Sequence, residues 1–250
     1  MTPTTHSDAV HTHTNSCWWN SDEARWVCPH DAAAPLVDVR DMIVVHTAML
    51  REFRLAPAAV RRVAPGSAKG AAAVERHLAF VCDMLHHHHQ GEDELLWPLL
   101  RERAPAAAAV LDQVESQHAD IDAALDRVAY TRQAWAATPD AERRETLALT
   151  LERLHALLAA HLDLEESAVL PVAAGVLTDA EWGAVGAAAA ASMSKPALVL
   201  AIGMFAYEGD PAVLRTMLSH APAVPRFVVP RIGPRAYARR ARQVHGTARP

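Results

Sequence analysis

Apolar residues recur every three or four positions along most of the chain, which is the spacing of one face of an α-helix. Four long segments show this pattern. They run from about Pro35 to Ala56, from about Ala71 to Arg103, from near Pro105 to the stretch AATPD, and from Thr138 or Asp140 to about Val172. Because the connections are short, the pattern predicts an all-α fold built on an up-down-up-down four-helix bundle.

The segments divide the chain into three predicted regions. Residues 1–34 are polar and rich in Thr, Ser and His, so we expect a mobile N-terminal segment. Residues 35–175 contain the bundle. Residues 176–250 carry shorter helical patterns and a basic tail, which predicts a helical C-terminal extension. A capping-box spacing from Thr178 to Glu181 marks its first helix, and we expect its apolar stretch Ala197–Tyr207 to pack on the bundle.

Composition supports a helical protein and excludes several classes. Hydrophobic residues make up 51% of the chain and aromatic residues 5%, and the net charge of −5 argues against a nucleic-acid binder. The three cysteines do not suggest a disulfide scaffold. There is no signal-peptide pattern, and no apolar run is long enough to span a bilayer. We therefore expect a cytoplasmic protein with no nucleic-acid partner and no membrane partner.

The 15 histidines are the compositional anomaly, and some of them interrupt the apolar stripes that should face the bundle core. Each predicted helix has such an interruption near its middle. The residues are His46 on the first, His88 and Glu92 on the second, His118 on the third, and His161 and Glu165 on the fourth. Burying this set would be costly unless something binds it.

Two stretches repeat one arrangement: HHQGEDELLWP (residues 88–98) and HLDLEESAVLP (residues 161–171). In each, a glutamate follows the first histidine by four residues, and a proline follows the glutamate by six. Residues four apart lie on one face of a helix, about 6 Å apart along its axis. Imidazoles suit iron, zinc or copper, and carboxylates can bridge two ions, so the repeat indicates a metal pair.

This arrangement resembles the hemerythrin-like (HHE cation-binding) family over roughly residues 35–172. Its signature is a histidine on helices one and three, and H-x-x-x-E on helices two and four, with a proline after each pair. The resemblance implies a four-helix bundle that holds two non-haem iron ions, oxo- or hydroxo-bridged. Their ligands would be His46, His88, Glu92, His118, His161 and Glu165.

A count of coordination positions bears on the function. Two octahedral irons offer about twelve positions, and six protein ligands with the bridging group leave about two open. Oxygen-carrying hemerythrins have an extra histidine and keep one. The count therefore favours reaction with peroxide, nitric oxide or oxygen over simple carriage, with an unknown electron donor. Such a protein would be a peroxidase- or catalase-like enzyme or a nitric oxide-reacting oxidoreductase.

Two other functions stay open. The first is a non-catalytic protein that binds or senses oxygen, nitric oxide or iron. The second is a helical scaffold with zinc or no metal in the site. A metal analysis together with an optical spectrum separates the three functions.

Other polar residues have less specific interpretations. His86, His87 and His89 should point to other faces, although His87 could replace His88 if the helix is overwound at Gly91. We interpret His77 as a satisfied core histidine rather than a ligand.

For the remaining candidates we also favour a structural or solvated role over a role in the metal site. Asp93 and Glu166 would be solvated carboxylates rather than supports for the ligands, and Cys82 a buried thiol. Cys17, Cys28 and His30 would belong to a docked segment rather than a zinc or redox site. The arginines after Asp210 predict a basic tail docked on the acidic bundle, and an anionic partner for that tail is the alternative.

Overall fold

The computed structural model describes residues 18–20, 25–27, 35–219 and 223–250. Two short strands, β1 (Trp18–Asn20) and β2 (Arg25–Val27), pair antiparallel with Trp19 opposite Trp26. They belong to a separate compact unit, Met1–Pro35. The all-α prediction did not include these strands. The rest of the predicted mobile segment, with Cys17, Cys28 and His30, lies outside the described residues.

From Leu36 onward the described chain is helical. The helices are α1 (Arg40–Arg61), α2 (Ala68–Gly91), α3 (Trp97–Arg103), α4 (Ala108–Ala137), α5 (Ala141–Leu164), α6 (Leu170–Val176), α7 (Asp179–Ser192), α8 (Lys195–Phe205), α9 (Pro211–Ser219) and α10 (Ala223–Val244). Two π-helical turns, Glu92–Leu96 and Glu165–Val169, join α2 to α3 and α5 to α6.

The four longest helices before the extension pack around one axis. Helix α1 contacts α2 and α5, and α4 contacts the same two helices. Each of the four thus has two neighbours, as in a four-helix bundle. The predicted second helix is α2 with its π turn and α3, and the predicted fourth is α5 with its π turn and α6.

Side-chain caps begin several of the helices. The side chain of Ser67 accepts the N–H of Gly70 and caps α2, and Asp140 accepts that of Arg143 and caps α5. The capping box at Thr178 is confirmed. The predicted stop of the first helix at Pro57 is wrong, because α1 continues to Arg61. Burial of the following turn in the core offsets the backbone hydrogen bond lost at Pro57.

The apolar core has two parts. A large cluster includes Phe53, Leu85, Ile121 and Leu158 and continues into the C-terminal extension. A smaller cluster at the other end of the bundle includes Leu96, Trp97, Val114 and Val169. The histidines and glutamates that interrupt the stripes lie between these parts. The polar layer is therefore enclosed by apolar side chains from both directions.

The extension packs on the bundle through α8, α9 and α10, which confirms the expectation for its apolar stretch. Helices α8 and α9 contact α1, and α10 contacts α2. Helices α8 and α10 touch at Gly203 and Gly233, where a Cβ on Gly203 would lie 2.0 Å from the carbonyl oxygen of Gly233. No helix in the described part of the chain is long and apolar enough to cross a membrane.

Candidate metal centre

Seven buried side chains from four helices and both π turns converge in the polar layer. They form two groups that share Glu92: His46, His88, Glu92 and Glu165, and His89, Glu92, His118 and His161. Within each group the potential donor atoms lie within 4.8 Å of one another. The structure brings together all six residues that the sequence predicted and adds His89.

Two pairs of imidazoles face each other, ring nitrogen to ring nitrogen. Nε2 of His46 on α1 lies 3.1 Å from Nε2 of His88 on α2. Nε2 of His118 on α4 lies 3.2 Å from Nε2 of His161 on α5. Each pair joins two neighbouring helices of the bundle.

The other ring nitrogens set the tautomers of His118 and His161. Nδ1 of His118 lies 2.8 Å from Oδ1 of Asp93, and Nδ1 of His161 lies 3.2 Å from Oε1 of Gln117. Because these oxygens accept hydrogen bonds, each Nδ1 donates its N–H and each Nε2 of a neutral ring carries a lone pair. Two lone pairs that face each other over 3.2 Å repel unless a proton or a metal cation lies between them.

The pair on the other side of the layer is built in the same way. Nδ1 of His46 donates to Oε1 of Glu166 at 3.0 Å, which leaves its Nε2 lone pair directed at His88. Burial lowers the pKa of His88 well below its usual value, which favours its neutral ring. Glu166 directly follows Glu165 in the sequence, just as Asp93 directly follows Glu92. The prediction that these two carboxylates are merely solvated is wrong.

Glu92 lies between the two groups. Its Oε1 is 3.2 Å from Nε2 of His88, and its Oε2 is 3.6 Å from Nε2 of His118. Neither oxygen makes a hydrogen bond. Burial, with the neighbouring charge of Glu165, raises the pKa of Glu92 well above its usual value. A cation in the layer would stabilise the ionised carboxylate that the protein alone disfavours.

Glu165 occupies the equivalent position on the opposite side. Its Oε2 is 3.4 Å from Nε2 of His161 and 3.6 Å from Nε2 of His46. Both of its oxygens are buried without a hydrogen-bond partner. Burial opposes ionisation of Glu165, but the surrounding imidazoles, His46 foremost, lower its pKa to about 2. Each glutamate thus contacts one histidine from each imidazole pair.

Both glutamates are the first residues of π-helical turns. The N–H of Trp97 donates to the carbonyl of Glu92, and that of Leu170 to the carbonyl of Glu165, each five residues back. Pro98 and Pro171 come directly after these donors. A proline has no N–H for the carbonyl four residues earlier, which weakens the α-helical alternative. Such π turns are frequent at functional sites, and the repeated proline was their sequence signal.

Sequence reasoning missed His89. The side chain is buried, and neither ring nitrogen has a hydrogen-bond partner. Its ring stacks on His118 with centroids 4.0 Å apart. His86 is exposed beside Asp122, and Nδ1 of His87 donates to the carbonyl of Asp83. The structure therefore places His88 in the layer, rather than His87. It also places His89 there, which was expected on another face of the helix.

A family model described as the hemerythrin HHE cation-binding domain matches residues 37–173. That is more than half of the chain. The chain belongs to this family. The matched region includes all seven residues of the polar layer. Comparisons with curated proteins and with solved structures give no match.

The side chains of the HHE domain fit a bound cation. Unpartnered oxygens of two buried carboxylates and lone pairs on facing imidazoles are donor atoms that the protein itself leaves unsatisfied. Cys82, which the sequence predicted to be a structural residue, lies in the large apolar cluster outside the polar layer. Cys82 is a buried free thiol, as expected.

Proposed function

We propose that the HHE domain holds two iron ions in the seven-residue layer and reacts there with a small oxidant: peroxide, nitric oxide or oxygen. The observation that carries this proposal is the approach of His118 and His161, whose Nε2 lone pairs face each other at 3.2 Å.

For the topology of the bundle we propose the up-down-up-down arrangement. The short connections at residues 62–67 and 138–140 support it, because a short connection makes neighbouring helices antiparallel.

The two groups of donor atoms support a division of the ligands between two ions. One ion would be held by His46 and His88, and the other by His89, His118 and His161. Glu92 and Glu165 would bridge them, because each contacts a histidine of both imidazole pairs. Imidazole and carboxylate together suit non-haem iron, which when bound supplies ferrous–ferric redox chemistry.

His89 changes the ligand count made from the sequence. Five imidazole nitrogens and four carboxylate oxygens are nine donors for about twelve positions on two six-coordinate ions. A bridging oxo or hydroxo group would take two of the remaining three positions, which leaves about one open, whereas the count with four histidines left about two. One open position still admits an external ligand, but it equals the number given above for oxygen-carrying hemerythrins, so the count no longer favours reaction over carriage.

The chain's own residues would control access and proton supply. Leu85 and Ile121 on one side and Leu96 and Val114 on the other enclose the layer and exclude bulk water. Asp93 and Glu166 are about a third exposed at their side chains. Since each accepts a ring N–H from inside, these two carboxylates link the buried imidazoles to solvent and can pass protons between them.

A non-catalytic binding or sensing protein is the second candidate. The additional imidazole of His89 favours it, since fewer open positions suit reversible binding of one ligand. The packing of α8, α9 and α10 on α1 and α2 favours it as well. A change in the metal layer would be transmitted to the extension through those two helices.

The test uses full-length protein purified without oxygen and loaded with iron. We expect two irons per chain, and then consumption of peroxide beyond one equivalent or rapid reaction with nitric oxide. Glu92→Ala should lose this activity while the circular dichroism spectrum stays helical. Stoichiometric zinc without iron, after expression in iron-replete cells, contradicts the iron assignment. Two bound irons with only reversible oxygen binding contradict the enzyme and support the second candidate.

A further inference from the structure

A second buried cluster lies where the last helix meets the bundle. Glu52 on α1, His77 on α2 and His245, directly after α10, bring one potential donor atom each to within 4.8 Å of one another. Glu52 is six residues from His46, about 9 Å along α1, and His77 is eleven residues from His88, about 16 Å along α2. The cluster is therefore separate from the polar layer of the HHE domain.

The two imidazoles converge on one oxygen of the carboxylate. Oε2 of Glu52 lies 2.9 Å from Nε2 of His77 and 3.2 Å from Nε2 of His245. Donor atoms of a tetrahedral zinc ion with bonds of about 2.0–2.1 Å are roughly 3.3 Å apart. The two separations from Oε2 are close to two edges of such a shell, and the donor atoms of the two imidazoles lie within 4.8 Å of each other.

The other carboxylate oxygen is held by separate groups. Oε1 of Glu52 accepts from Tyr237 at 2.5 Å and from Nε and Nη2 of Arg51 at 3.3 and 3.1 Å. A carboxylate that binds a metal through one oxygen is typically oriented by hydrogen bonds to the other. Arg51 and Tyr237 would fix Oε2 toward the two imidazoles in this way.

The charges in the cluster suit a divalent ion. The guanidinium of Arg51 is matched by Glu208, whose carboxylate lies 3.0 Å from Nη1. Arg51 is therefore shared by two carboxylates, Glu52 and Glu208, and the group keeps one net negative charge that a cation can balance. Two imidazoles with one carboxylate are an established zinc donor set with a fourth position for water.

We propose that Glu52, His77 and His245 form a mononuclear zinc site that fastens the end of the C-terminal extension to α1 and α2. The ligands come from three elements far apart in the chain, so the ion would bind only when the extension is docked. Zinc binding would thereby stabilise the docked state. The rival arrangement is a hub in which both imidazoles donate N–H to Oε2 and no metal is present.

The experiment compares zinc uptake of full-length wild type, His245→Ala and His155→Ala. His155 is a partly exposed histidine of α5 outside every cluster, and serves as the matched control. After equilibration with excess Zn²⁺ and gel filtration, we expect His245→Ala to hold one zinc ion fewer per chain than wild type, and His155→Ala to equal wild type. The difference does not depend on which metal occupies the HHE layer.

A second variant distinguishes loss of the zinc ligand from loss of the fold. His245→Gln retains a hydrogen-bond donor but removes the imidazole, so it should keep the helical circular dichroism spectrum and still lack one zinc. Zinc should raise the Tm of wild type more than that of either His245 variant. Equal zinc uptake by wild type and a folded His245→Gln overturns the proposal and leaves the hydrogen-bonded hub.

Discussion

Nδ1 of His118 lies 2.8 Å from Oδ1 of Asp93, and this contact joins α4 to the π turn after α2. It fixes the ring so that Nε2 faces the polar layer. The equivalent contact on the other side joins His46 to Glu166 at 3.0 Å. The internal repeat therefore includes the buried glutamate of the polar layer and also the carboxylate that follows it.

Replacing Asp93 tests this relationship. Asp93→Ala should weaken iron binding by about 10- to 100-fold, because the His118 ring loses its orientation and basicity. Asp93→Asn keeps an acceptor oxygen and should recover part of the affinity. The measurement is iron retention against a chelator of known affinity. Glu94→Gln is the control, since Glu94 is exposed and bonds only Gln90. Equal iron retention by Asp93→Ala and wild type would show that the contact is incidental.

His89→Ala should lower the iron content, since its unpartnered nitrogens lie in the group with His118 and His161. His87→Ala is the matched control from the same histidine run, and we expect it to retain both irons. Metal analysis of the two variants, purified side by side, decides the outcome. If His89→Ala keeps two irons, the layer has four imidazole ligands and the stacked ring of His89 is only packing.

His118→Ala and His161→Ala should each lose at least one of the two irons, while His86→Ala should not. The first two remove partners in the nitrogen-to-nitrogen contact at 3.2 Å. His86 is exposed and lies 3.4 Å from Asp122. Iron per chain is again the readout. A similar loss in all three variants would mean that the histidine run binds metal as a unit.

The thiol of Cys82 should react slowly with alkylating reagents in the folded protein. Burial raises its pKa to about 12, so almost no thiolate is present at pH 8, and thiolate is the reactive form. Mass spectrometry of the Cys82 peptide after iodoacetamide treatment, with and without urea, measures this. Labelling should be slow without urea and become fast above the unfolding transition. Fast labelling of folded protein would show that this part of α2 opens readily.

The sequence determined the four-helix plan and six members of the polar layer. The 3.6-residue period places residues that recur every three or four positions on one helix face. A histidine or glutamate in such a stripe must then face the core. The repeated H-x-x-x-E pairs with their later prolines marked two such stripes, and the family model covers the same region. These features are local or periodic, so they can be found without the fold.

Only the tertiary structure decided the position of His89. Adjacent helix residues point about 100° apart, so a single stripe through His88 excludes its neighbour. Helix α2 packs against both α1 and α4, however, so its buried face is wider than one stripe. His88 faces His46 on α1, and His89 stacks on His118 of α4.

Contacts between residues that are distant in the chain were likewise decided only by the tertiary structure. Asp93 and His118 are 25 residues apart, and Glu52 and His245 are 193 apart. No period in the sequence links them, because their distance depends on how helices pack and where the extension docks. The sequence therefore determined which faces are buried. Helix packing decided which buried groups meet.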